Sequence, residues 1–248
     1  MQGTFVWHDL TTADPEAAAA FYHGLLGWER TAFPGAEPPY HVMLLQGSGI
    51  GGITGLSAGS PGWKGYIAVE DVDAAAAKVA ELGGKAERAE TMEGVGRMAL
   101  ATDRHGVRFV LFAPAPMESP PPRPDPCTPG MPAWNELHGG ALDSDVAFYS
   151  GLFGWQKGEA TDMGALGLYQ QVTAGGVPIG GMMTKVPDMP VPTWLYYFRS
   201  AAADASAARV QELGGKVIFG PQEVPGGLWI LQCLDPQGNL FGLVSPAR

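Results

Sequence analysis

Phe21-Tyr22-His23-Gly24-Leu25-Leu26-Gly27-Trp28 returns 127 positions later as Phe148-Tyr149-Ser150-Gly151-Leu152-Phe153-Gly154-Trp155. At the same offset, Trp7-His8-Asp9-Leu10 is matched by Trp134-Asn135-Glu136-Leu137. Further on, Glu81-Leu82-Gly83-Gly84-Lys85 is matched by Glu212-Leu213-Gly214-Gly215-Lys216, and Asp103-Arg104-His105-Gly106 by Asp235-Pro236-Gln237-Gly238. Four motifs in one order, twice, define a tandem duplication. Between the copies, nine prolines fall within residues 114–132, including Pro120-Pro121-Pro122. Proline lacks the N–H that helices and ladders use, so a semi-rigid extended linker is expected. The predicted organisation is a first domain over 1–114, a Pro-rich linker over 115–131 and a second domain over 132–248.

Each half also repeats coarsely within itself. A strand-like run from Thr4 to Leu10 leads into Asp14-Pro15-Glu16, an N-cap Asp followed by Pro at the first helical position. Ala17–Ala20, Phe21, Tyr22, Leu25 and Leu26 then set an apolar stripe at helical spacing, which Gly27 can stop. Strands are predicted over His41–Leu45 and Gly51–Leu56. A second round follows: a strand over Gly65–Val69, a helix from Asp73 to Leu82 closed by Gly83-Gly84, and strands over Arg97–Ala101 and Val107–Phe112. The unit is βαβββ, used four times. One position disagrees: Ala141 stands where the first half has Asp14, which predicts a later start for the third helix, near Asp143 or Ser144.

Composition bounds the partners. Lys and Arg number 15 against 25 Asp and Glu in 248 residues, a formal charge of −10. Nucleic acid and anionic membrane need clustered cations, and no basic stripe is present. Hydrophobic residues at 46% suffice for a packed core. Cys127 and Cys233 are far apart, so neither a disulfide framework nor a thiolate zinc site is indicated. The opening MQGTFVWHDL has no signal-peptide pattern, and no apolar run approaches the roughly 20 residues of a membrane span. A soluble, cytoplasmic protein is expected.

A βαβββ unit carrying FYxxxLGW after a helix start, then LGGK and a final DxxGxxF strand, resembles the vicinal oxygen chelate superfamily. That family takes in glyoxalase I, bleomycin-resistance proteins and extradiol dioxygenases. The two-domain form with a WxEL-type first strand is nearest to a glyoxalase-like branch. The resemblance implies an α+β fold in which the four units form two half-open eight-stranded cups, each holding a ligand or metal inside. Neighbouring units could share a cup, or units could exchange across the linker; the proline stretch permits both.

Family metal ligands come from the first strand of each unit, a later strand and the last strand. Counting from the helix and turn motifs, these positions fall on Trp7, Tyr66, Val110 and, near the intermediate strand, Gly52. In the second half they fall on Trp134, Tyr197, Gly242 and Gly181. Trp, Val and Gly bind no metal, and a divalent ion needs three or more N, O or S donors. No metal and no cofactor are therefore expected. Trp7 and Tyr66, with Trp134 and Tyr197, instead give each cup an aromatic lining able to stack on a flat organic ligand.

Residues two apart share a strand face, which puts Glu136 and His138 beside Trp134, and Asp9 and Thr11 beside Trp7. A carboxylate next to an imidazole can act as base and acid; Glu136 could equally form an ion pair with Arg199, two residues beyond Tyr197. His138 adjoins Gly139-Gly140 and could end its strand in solvent. His8 has the opposite parity and should face helices or solvent; His23 and His105 read as surface residues. Of Tyr40-His41 and the matching Tyr169-Gln170, the tyrosines read as inward packing. Three functions compete. The first is a metal-independent binding protein of the bleomycin-resistance type, holding a small organic ligand against Trp7, Asp9, Tyr66, Trp134, Tyr197 and Arg199. The second is a metal-free glyoxalase-like lyase or isomerase that moves protons with Glu136 and His138. The third, a metal-dependent glyoxalase or dioxygenase with a displaced site, has the missing ligands against it. Monomer and homodimer both fit, since four units complete two cups.

Overall fold

The computed structural model describes residues 2–56, 60–117, 122–187 and 189–248; Pro120 and Pro121 of the predicted linker lie outside these. The first half runs β1 (Phe5–Thr12), α1 (Pro15–Leu26), β2 (Glu29–Ala32), β3 (Tyr40–Leu45), β4 (Ser48–Gly55), β5 (Gly62–Ala68), α2 (Val72–Glu81), β6 (Lys85–Ala86), β7 (Glu90–Met92), β8 (Gly96–Thr102) and β9 (Arg108–Pro114). The second runs β10 (Pro132–Gly139), α3 (Leu142–Phe153), β11 (Gln156–Asp162), β12 (Leu168–Ala174), β13 (Val177–Thr184), β14 (Thr193–Arg199), α4 (Ala203–Glu212), β15 (Lys216–Val224), β16 (Leu228–Leu234) and β17 (Leu240–Ser245). Strand β2, absent from the predicted set, is exposed along its whole length and so carries no alternating apolar signal.

Two curled half-barrel mixed sheets result. One has the order β2-β3-β4-β1-β5-β9-β8-β6, with β7 beside β8; the other has β11-β12-β13-β10-β14-β17-β16-β15. In each, the first and fourth strands of a unit pair in parallel, as β1 with β4 and β5 with β9. Neighbouring units on one side of the linker therefore share a sheet. By contact, however, the chain divides differently. One compact unit takes Met1–Trp7, Lys64–Pro120 and Asn135–Trp194, and the other His8–Trp63, Pro121–Trp134 and Leu195–Arg248. Each compact unit is thus assembled from both halves of the duplication.

The repeated motifs account for this grouping. In the first unit, Trp194 Nε1 donates to Tyr149 Oη at 3.0 Å, Tyr149 donates to Asp103 at 3.2 Å, and Trp155 stacks on Tyr149 with ring centres 5.5 Å apart. Trp155 Nε1 then donates to the Gly3 carbonyl at 2.7 Å. The second unit repeats the arrangement: Trp63 to Tyr22 at 3.2 Å, Tyr22 to Asp235 at 3.5 Å, and Trp28 to the Gly130 carbonyl at 2.8 Å. Phenols and indoles buried this deeply need partners, and the Tyr of FYxxxLGW meets the Asp of the closing turn of the other half. Gly3, with φ 75°, lies so close to the Trp155 ring that a side chain there would collide with it.

Asp14 caps α1 by accepting from Ala17 N–H at 3.0 Å, and Gly27 closes it at φ 71°. Contrary to expectation, α3 does not start late: it begins at Leu142, in step with α1. Burial of Phe148 and Tyr149 fixes where the helix lies, and other groups replace the missing cap. Asp145 reaches back to accept from Ala141 N–H at 3.0 Å, and Ser144 Oγ donates to the Ala141 carbonyl at 2.9 Å. His105 joins them, with Nε2 3.3 Å from Asp145 and 3.2 Å from Ser144 Oγ. None of the helices among the described residues is long and apolar enough to cross a membrane.

Candidate functional site

Strand register gives the neighbours of the residues at the expected ligand positions. Asp9 pairs with Gly52 across β1 and β4, and Tyr66 with Val110 across β5 and β9. In the other sheet Glu136 pairs with Gly181, and Tyr197 with Gly242. By register, the residues on β1 and β10 that stand as Tyr66 and Tyr197 do on β5 and β14 are Asp9 and Glu136, one pleat on from Trp7 and Trp134.

The glycines at these positions are filled from neighbouring strands. A Cβ on Gly52 would strike the Tyr40 hydroxyl; one on Gly181 would strike the Tyr169 ring, and one on Gly242 the Tyr197 ring. Tyrosine rings therefore stand where ligand side chains would project. Tyr40 donates to Asp9 Oδ1 at 2.6 Å, and Tyr197 Oη accepts from Gln232 Nε2 at 3.0 Å. At Val110 the neighbouring Tyr66 packs edge-on against Phe112, with centres 5.7 Å apart. These residues do not fit a metal: the positions offer one carboxylate per sheet, and hydroxyls that are already engaged. Among the described residues, no group of three or more His, Cys, Asp or Glu is placed to hold an ion.

Glu136 and His138, on the same face of β10, form the one carboxylate–imidazole pair the sequence placed there. Oε1 of Glu136 lies 2.7 Å from His138 Nε2, and both residues are buried, at 8% and 4% exposure. His138 is thus not a solvent-facing strand end: β10 continues past it to Gly139. Its Nδ1 is buried without a hydrogen-bond partner among the described residues. The counterpart 127 positions back is Thr11, whose hydroxyl is also buried and unpartnered.

The remaining candidates scatter. Trp7 and Tyr66 are half-buried. Trp134 packs on the core cluster of Leu195, Tyr197 and Val244, and so serves packing. Arg199 Nε donates to the Pro126 carbonyl at 2.6 Å, while Glu136 is held by His138. His23 is exposed, as its helix position predicted, whereas His8, expected to face helices or solvent, is buried edge-on to Tyr196 of β14 at 4.8 Å. Cys233 is core, and burial pushes its thiol up to about 12. Sequence reasoning treated Tyr40 and Tyr169 only as packing and missed what they fill. The available signal was a tyrosine on one strand facing a glycine at a ligand position on the next.

Comparison with known proteins agrees with this architecture. The profile of the Glyoxalase/Bleomycin resistance protein/Dioxygenase superfamily matches residues 4–111 and 136–243. The chain is 34% identical over 263 residues to the "Putative glyoxylase CFP32" of Mycobacterium tuberculosis, covering 99% of this chain and 96% of that one. It is 29% identical over 269 residues to the anthracycline biosynthesis protein DnrV of Streptomyces peucetius, covering 98% and 93%. In structure it is similar to the Mn(II)-bound glyoxalase from Novosphingobium aromaticivorans, with a TM-score of 0.71 at 14% identity over 99% of this chain and 82% of that one. It is also similar to the 2,3-dioxygenase LapB from Pseudomonas sp. KL28, with a TM-score of 0.69 at 14% identity over 99% and 93%.

Proposed function

The chain belongs to the glyoxalase/bleomycin resistance protein/dioxygenase superfamily, and from that premise we propose that it is a metal-independent protein acting on a small organic ligand. The ligand lies on the inward face of β10, β12 and β13. One observation supports this reading: the Tyr169 ring fills the space beside Gly181, where the family resemblance leads one to expect a ligand side chain, and His138 on the same strand as Gly181's partner Glu136 has an unspent second nitrogen. A buried polar atom without a partner is unfavourable by about 1–3 kcal/mol, so a ligand that hydrogen-bonds to His138 Nδ1 recovers that energy on binding. The tyrosine ring supplies a flat apolar wall for the ligand body. The name of DnrV supports a fused-ring ligand, anthracyclines being of that class.

The Glu136–His138 bond favours a second reading, proton transfer. With Nε2 donating to the carboxylate, Nδ1 carries a lone pair and can take a proton from a bound substrate; Glu136 then stabilises the imidazolium. Metal content and ligand binding test both. Protein purified without chelator, then incubated with Ni, Zn, Mn or Fe(II), should retain less than about a tenth of an equivalent. An anthraquinone should quench tryptophan fluorescence in the parent and not in His138→Ala. Stoichiometric metal that is lost in Glu136→Gln would overturn the proposal. Turnover with a bell-shaped pH–rate profile, abolished by Glu136→Gln, would select the enzymatic reading.

A further inference from the structure

Helices α2 and α4 occupy equivalent places in the duplication, 131 positions apart, and open differently. The residues entering α2 are Ala68, Val69, Glu70 and Asp71; those entering α4 are Arg199, Ser200, Ala201 and Ala202. Asp71 accepts from Ala74 N–H at 3.0 Å, and Gln2 Oε1 accepts from Glu70 N–H at 3.0 Å, so the opening of α2 is satisfied by its own chain. At α4 the cap residue is Ala202, with no side-chain hydrogen bond, and Pro129 stands where the other half has Gln2; the Ala247 carbonyl accepts from Ala203 N–H at 3.0 Å, which leaves the next N–H groups of the first turn without a side-chain cap. A carboxylate cap and an amide acceptor have both been removed, and an arginine has been added.

A cleft of about 330 Å³ lies at this uncapped end, wholly within the second compact unit. Leu25, Leu26 and Ala205 give it apolar walls; Arg199, Ser200 and Arg209 give it polar ones, and no Asp or Glu lines it. Ser200 is 8% exposed, and its hydroxyl has no hydrogen-bond partner. Arg199 is steadied by the Pro126 carbonyl through Nε, and Arg209 by the Gly24 carbonyl at 3.0 Å and Glu212 at 3.1 Å. Nearby Asp204, in the first turn of α4, lies 3.4 Å from Arg248. In a chain of net charge −10, this is a local positive pocket on the positive end of a helix.

We propose that this cleft binds a small amphipathic organic acid. Its carboxylate meets the first-turn N–H groups of α4 beyond Ala203, the Ser200 hydroxyl and the arginines, and its short apolar body lies against Leu25, Leu26 and Ala205. The inference is independent of the β10 face, which lies in the other compact unit. Hexanoate is a suitable probe, with hexan-1-ol as the neutral control of equal chain length. Hexanoate should raise the Tm of the full chain saturably at fixed ionic strength, and hexan-1-ol should not. Ala202→Asp and Ser200→Val import the residues found at α2. Ala202→Asp adds a cap and so should fold, while the new carboxylate lowers hexanoate affinity by roughly tenfold or more. Ser200→Val should weaken binding and leave the unliganded Tm no lower. The proposal is overturned if hexan-1-ol matches hexanoate, or if Ala202→Asp binds hexanoate as the parent does.

Discussion

The two compact units share one chain of hydrogen bonds and one stacked pair, and differ on their inward faces. In one, Trp194, Tyr149 and Asp103 form a chain of hydrogen bonds; in the other, Trp63, Tyr22 and Asp235 form the same chain. Their stacked pairs match as well, Tyr149 on Trp155 and Tyr22 on Trp28. The inward faces have diverged: Glu136 bonds His138 in the first unit, whereas Asp9 accepts from Tyr40 in the second, with Thr11 in the place of the histidine. What fixes the architecture is alike in the two halves of the duplication, and the faces proposed to meet a ligand are not. Helix openings follow the second pattern, since each unit holds one helix with an Asp cap and one without.

Truncating the shared tryptophans is the harshest test of that equivalence. Trp28→Ala and Trp155→Ala should each cost about 3–5 kcal/mol in denaturant unfolding, and a clear inequality between them would break the symmetry claimed here. Removing only the hydroxyls is milder. Tyr22→Phe and Tyr149→Phe each strand an indole N–H and take one donor from a carboxylate that keeps its turn N–H groups, for about 1–3 kcal/mol. Burial and the neighbouring Asp235 hold the Tyr22 phenol well above its ordinary range, so this loss should be flat with pH through neutrality. Asp71→Ala should lower stability by about 1 kcal/mol through the lost α2 cap, an effect that α4 has no residue to mirror.

The subtlest prediction concerns Asp145. Burial pushes its carboxyl up, although Ala141 N–H and His105 favour the ionised form. A raised native pKa means the folded state holds the proton more tightly. Stability from this group is therefore present in acid and declines as pH rises from about 4, the unfolded carboxylate value, through the native value. Asp145→Asn should remove that slope from a Tm–pH series; parallel curves for variant and parent would show that Asp145 does not titrate in this way.

Most of the fold was legible because repeated motifs are a global signal. FYxxxLGW, LGGK and DxxG located four units without any single-residue inference. The grouping of first with fourth and second with third unit was not legible, because Tyr22 and Asp235 are 213 positions apart and either half could have satisfied them alone. Strand parity put Glu136 and His138 on one face, where they bond each other, because parity needs no register. Which residues lie opposite one another was not legible, since register depends on pairing with β4 and β13. The missing side-chain cap of α4 left two traces in the sequence, an alanine where its counterpart has Asp71 and Pro129 where it has Gln2.

The bonds from Trp28 to Gly130 and from Trp155 to Gly3 run between the two halves of the duplication in opposite directions. Covalent continuity is therefore not what keeps those halves together. Either half made alone would expose an indole that lacks its carbonyl, and its nearest substitute would be a second copy of itself. In that sense the chain is a dimer whose subunits have been joined end to end.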